Sequence, residues 1–101
     1  MLVQNVNVGS CEGVNYKDTQ ITFPEPFPAP SGETASVIVV ATVVLDTQNY
    51  PLDKYNDTYT VSVANVTNKG FVARVRRCAV DDKTGWGMNL TLNYYAEAIP
   101  V

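Results

Sequence analysis

Residues 59–75 read YTVSVANVTNKGFVARV, two alternating runs joined by a short loop that ends in glycine. Tyr59, Val61 and Val63 share one face of the first run, and Phe71, Ala73 and Val75 share one face of the second. This period of two is that of half-buried strands. Asn68-Lys69-Gly70 suits a tight hairpin, with Gly70 expected to supply a positive φ where the second strand resumes. An all-β domain follows from this stretch.

Moving C-terminally, Asp81-Asp82-Lys83-Thr84-Gly85 predicts a second turn, and Trp86 to Glu97 a final strand. Trp86, Met88, Leu90, Leu92, Tyr94 and Ala96 are expected to face the core, with Asn89, Thr91, Asn93, Tyr95 and Glu97 facing out. Moving N-terminally, Asp46 to Asp57 reads as a long polar loop with two tyrosines. Ser36 to Leu45 (SVIVVATVVL) is apolar on both faces, with Ile38, Val40 and Val44 on the second one. A strand of a two-layer sandwich has only one face in the core, so the second face needs another cover, and a subunit interface is the simplest. Pro24 to Pro30 carries four prolines and predicts an extended segment across a sheet end, with Phe27 tucked in. Gln20 to Phe23 reads as a short strand, Glu12 to Lys17 as loop, and Leu2 to Val8 as a first strand broken by Gly9-Ser10. The expected fold is a six-stranded antiparallel β-sandwich, one domain over residues 1–101.

The chain has 101 residues, 46% hydrophobic and 17% charged, with a formal net charge of −3. That balance argues against general attraction to nucleic acid or anionic membranes. Four of its seven basic residues (Lys69, Arg74, Arg76, Arg77) nevertheless cluster. Arg74 and Arg76 share a strand face, either a local anion or polar-ligand patch or simply a solvated face. The longest apolar run, Val37 to Leu45, falls short of the ~20 residues of a membrane span. The N-terminus lacks the pattern of a secretory signal. A mature or excised domain, or a protein that leaves its cell without a signal as virion proteins do, is the expectation.

Cys11 and Cys78 are the only cysteines, and there is no His. A zinc site needs more ligands than these supply. A disulfide would close a long loop and stabilise the fold by about 4 kcal/mol on the chain-entropy model. Parity places Cys78 on the face of Arg74 and Arg76, so two unpaired cysteines are the alternative. No residue has a nucleophile-activating context and no phosphate-binding loop is present, so the chain reads as no enzyme, without cofactor or metal. Asp81 and Asp82 as an acid and base pair, and calcium held by Asp46, Asp53 and Asp57, are the weaker readings. Asn56, Asn65 and Asn89 each begin an Asn-X-Thr sequon.

The order of these features resembles the H-type lectin domain, a family that includes snail agglutinins and the C-terminal domain of discoidins. The matching residues are Val3-Gln4, Ile21-Thr22-Phe23 with Phe27-Pro28, the strand Val37 to Val44, Tyr59 to Val66, Gly70-Phe71, the turn Asp81-Asp82-Lys83 and the closing Tyr94-Tyr95-Ala96. Similar modules end bacteriophage tail and fibre proteins. The resemblance implies a trimer that binds galactose- or N-acetylgalactosamine-type glycans between subunits, outside the cell or on a virion surface. It also implies, in some members, a disulfide comparable to Cys11 with Cys78. The family's Trp-His pair before the final turn is replaced by Ala79-Val80, and its strand-opening Arg by Asp57-Thr58-Tyr59. Trp86 would stand in for the aromatic, and Asp18 for a neighbour's early-loop acid. Sugar recognition needs an aromatic face and planar polar groups. The candidate set is therefore Asp18, Asp46, Asn49, Tyr50, Asp53, Tyr55, Arg76, Asp81, Asp82 and Trp86, together with Asn56. The runner-up is a structural trimerising module of a capsid, baseplate or tail fibre with no sugar site.

Overall fold

The computed structural model describes residues 1–28, 36–54, 57–78 and 80–99. Six strands appear in order: β1 (Leu2–Cys11), β2 (Tyr16–Thr22), β3 (Val37–Val44), β4 (Tyr59–Ala64), β5 (Gly70–Arg77) and β6 (Trp86–Ala98). They form two three-stranded sheets, ordered β1-β6-β3 and β2-β5-β4, in which every pairing is antiparallel. This is the expected β-sandwich.

The two central strands carry the core because only they are flanked on both sides. From β6 come Trp86, Met88, Leu90, Leu92, Tyr94 and Ala96, and from β5 come Phe71, Ala73 and Val75, all buried. Tyr59, Val61 and Val63 of β4 and Val37, Val39, Ala41 and Val43 of β3 pack against them half-buried. At one end Phe71 meets Tyr94 edge-on at 5.1 Å between ring centroids, and Phe23 meets Phe27 at 5.3 Å. Offset and edge-on aromatic pairs of this kind add to the area they bury. Phe27 is held there by backbone as well: its N–H donates to Asn68 O, and Phe23 N–H donates to Lys69 O. The described part of the proline-rich segment, residues 24–28, is thereby stitched onto the β4–β5 loop; residues 29 and 30 lie outside the described residues.

Three local expectations are corrected. Gly9-Ser10 does not end β1; the strand continues to Cys11 through register shifts at Asn7/Gly9 and Gly9/Cys11, with Gly9 at φ 74°. Glycine marks a bulge there, not a break. Nor is 12–17 all loop, since β2 begins at Tyr16. Its inward positions include Lys17, which hides the alternation; the ammonium donates to Val8 O (2.8 Å) and Ser10 O (3.2 Å). In the hairpin the positive φ belongs to Asn65 (51°), not Gly70. Gly70 is required for close approach instead, because a Cβ there would lie 2.0 Å from Ile21 O on β2.

The disulfide is not formed: Cys11 and Cys78 are both free thiols. Cys11 ends the edge strand of one sheet, opposite Trp86, with its Sγ turned to the carbonyls of Val14 and Tyr16. Cys78 leaves the other sheet, where its N–H donates to Thr58 O.

Candidate functional site

The outer face of the β2-β5-β4 sheet gathers polar side chains into rungs. Antiparallel register sets Tyr16 opposite Arg76 and Arg76 opposite Thr60, then Asp18 opposite Arg74 and Arg74 opposite Ser62, then Gln20 opposite Val72 and Val72 opposite Ala64. Arg74 grips Asp18 as a fork, Nε to Oδ1 at 2.7 Å and Nη2 to Oδ2 at 2.9 Å. The same guanidinium lies 4.6 Å over the Tyr16 ring, a cation–π contact. Hydrogen bonding from Arg74, with its charge, holds the Asp18 carboxyl below the usual aspartate range. A groove of about 530 Å³ runs over this face, lined by Asp18, Thr60, Ser62, Val72, Arg74 and Arg76 among others.

A second, smaller hollow of about 190 Å³ sits where the loops meet the sheets, lined by Tyr50, Asp57, Tyr59, Arg77, Trp86, Gly87 and Met88. Arg77 is its anchor: Nη2 bonds Asp57 Oδ1 at 2.7 Å and Nη1 bonds Gly85 O at 2.6 Å. Tyr59 packs edge-on to Trp86 at 5.5 Å, and Tyr50 Oη donates to Gly87 O. Burial first, then the Asp57 charge, raises the Tyr59 phenol above the ordinary tyrosine range. Tyr59 Oη and Arg77 Nε are buried without a hydrogen-bond partner among the described residues.

The sequence candidates divide between these places. Asp18 and Arg76 share the sheet groove, on strands, so Asp18 is not the loop acid the resemblance implies and pairs within its own chain. Tyr50 and Trp86 share the hollow, but Trp86 is buried, with its Nε1–H donated to Gly9 O at 3.1 Å. It packs the core and offers no open ring face. Asp46 and Asn49 are engaged with each other in a turn, Asn49 Nδ2 to Asp46 Oδ2 at 2.8 Å. Asp81 is likewise engaged, accepting from Thr84 Oγ1 at 2.7 Å and Lys83 N at 3.0 Å, which lowers its pKa. Asp53 and Asp82 are exposed, and Tyr55 and Asn56 lie outside the described residues. No group of three or more metal-ligating side chains forms among the described residues. The sequence reading missed Arg77, Asp57 and Tyr59 as one cluster, and Tyr16, Thr60 and Ser62 beside Arg74. For the second set the parity of Arg74 and Arg76 was a usable signal. Nothing local pointed to the first.

The outer face of the other sheet is apolar where β1, β6 and β3 line up Val3, Tyr95 and Val40 in one rung. Val3 is 65% exposed, Val40 57% and Ile38 50%. A polar rung follows, in which Asn5 Nδ2 donates to Asn93 Oδ1 at 2.6 Å beside Thr42.

No protein-family model matches the chain, and no curated protein matches it. Among solved structures it is similar to the C-terminal fragment, residues 323–701, of the Pseudomonas aeruginosa R1 pyocin fibre, at 26% identity and a TM-score of 0.63. The match covers 93% of this chain and 21% of that one, so the chain spans about a fifth of the fibre fragment.

Proposed function

We propose that this chain is a fibre module of a virion or virion-like particle, a trimerising sandwich that displays glycan-binding surfaces outside the cell. The observation that carries the fibre reading is the likeness of nearly the whole chain to one region of a pyocin fibre, at the level of fold and sequence together. The trimer is supported by the uncovered Val3–Tyr95–Val40 face of the first sheet, an apolar patch that a second copy would remove from water. Glycan binding is supported by the hydroxyl, guanidinium and carboxylate groups on the second sheet, and by the resemblance to H-type lectins. Three copies would give avidity from individually weak sites. The role is attachment, not catalysis.

Light scattering on the purified protein tests the assembly, with three chain masses expected. A glycan array that includes galactose- and N-acetylgalactosamine-terminated ligands then tests the binding, with selective retention of a subset expected. A trimer that retains no glycan would favour the second reading, a purely structural fibre module, which the uncovered apolar face also supports.

A further inference from the structure

The polar face of the β2-β5-β4 sheet is unevenly charged. Asp18 spends both carboxylate oxygens on Arg74, so that pair is neutral as a unit. Arg76, two residues further along the same face, has no carboxylate partner among the described residues; its neighbours are the Tyr16 ring, 6.0 Å away, and Thr60 across the sheet. One positive charge is therefore left over on a groove of a chain whose formal net charge is −3. The floor beside it carries the exposed Thr60 and Ser62 hydroxyls and the small apolar Val72 and Ala64. Its volume, about 530 Å³, falls in the roughly 300–1,000 Å³ range of small-ligand sites.

We infer that this groove binds a carboxylate-bearing saccharide, of the uronic-acid class, with Arg76 as the carboxylate anchor; the inference rests on the glycan reading above. A guanidinium meets a carboxylate in a planar two-bond fork, and Arg76 is the cation free to do so. Hydroxyl groups of the sugar both donate and accept, which suits Thr60, Ser62 and the outer edges of the Asp18–Arg74 pair. The apolar face of a ring rests on Val72 and Ala64. A single uncompensated charge is too little for a nucleic-acid phosphate track, which needs several. The groove is open and its floor holds no deep apolar pocket for a peptide side chain, so a saccharide is the better occupant.

The test is calorimetric titration of the native assembly with a glucuronate-containing tetrasaccharide, with the same tetrasaccharide after reduction of its carboxylates to alcohols, and with a glutamate hexapeptide. The acid form is expected to bind at least tenfold more tightly than the other two, and more weakly as salt rises. Arg76→Gln is expected to weaken it at least tenfold, and Ser62→Leu, which crowds the floor without altering charge, to weaken it as well. Both positions are exposed, so an unchanged melting profile shows that the fold survives. Equal binding of acid and reduced forms, or indifference to Arg76→Gln, overturns the assignment while the glycan reading stands. Peptide binding as tight as the acid saccharide overturns the ligand class. No binding of any probe overturns the site, and the array with neutral glycans then judges the glycan reading separately.

Discussion

The Arg77 guanidinium reaches Asp57 at 2.7 Å across the mouth of the loop-end hollow, and with its other terminal nitrogen holds Gly85 O at 2.6 Å. One side chain thus joins the start of β4 to the turn before β6, two segments that the chain connects only through the whole β4–β5 hairpin. The ion pair is partly shielded, the side chains being 20% and 27% exposed.

Replacing Arg77 with Met should therefore cost about 1–2 kcal/mol, less than the roughly 3–5 kcal/mol of a fully buried pair whose partner is left alone. Chemical denaturation of the variant measures it. Asp57→Asn with Arg77→Met should recover part of the loss, because no half-buried carboxylate is then left without its cation.

Gly70→Ala should be among the most damaging single-methyl changes. The new Cβ would fall 2.0 Å from the Ile21 carbonyl oxygen, and the atom that would have to move is backbone in the neighbouring strand. A loss of about 3 kcal/mol or more is expected, with the Thr22 and Phe23 amides losing hydrogen-exchange protection first.

The Asp18–Arg74 pair has a pH dependence of definite sign. The folded-state pKa of Asp18 lies below its unfolded value of about 3.9, so the stability the pair adds is fully present above that value. It is lost as pH falls through the lower, folded pKa. Carbon-detected NMR of the carboxyl should show Asp18 still mostly ionised at a pH near the ordinary aspartate value of about 3.9. Arg74→Gln should return Asp18 to the ordinary range.

Val40→Glu should leave the monomer fold intact, since the side chain stands 57% exposed on the outer face of β3. If that face is covered by another copy, the carboxylate would be buried there without a cation, and the assembly should fall to single-chain mass in light scattering. An unchanged mass would move the interface elsewhere.

Strand identity was most legible where the alternation runs unbroken. The six inward hydrophobic residues of β6 and the three of β5 each fall on one parity, because one face of the strand meets the core and the other faces solvent. Of the edge strands, β3 and β4 alternate as expected, while β1 and β2 were read less well. A bulge at Gly9 looked like a stop, and Lys17 on the inner side of β2 looked like loop, since the carbonyls that satisfy its ammonium belong to β1. The loop candidates fared differently again: Asp46, Asn49 and Asp81 carry the residue types of a binding site but are engaged in their own turns.

By itself the sequence determined the fold class, the inward faces of the central strands and the existence of an apolar second face on β3, because periodicity along one strand encodes which side meets water. Tertiary structure alone decided which side chains meet. Tyr16, Arg76 and Thr60 come from three strands, and their rung exists only through the register of β2 and β4 against β5. Arg77 meets Asp57 because backbone pairing brings Tyr59 opposite Arg77. Register and loop closure are settled by the packing of the whole sandwich, and no local pattern carries that information.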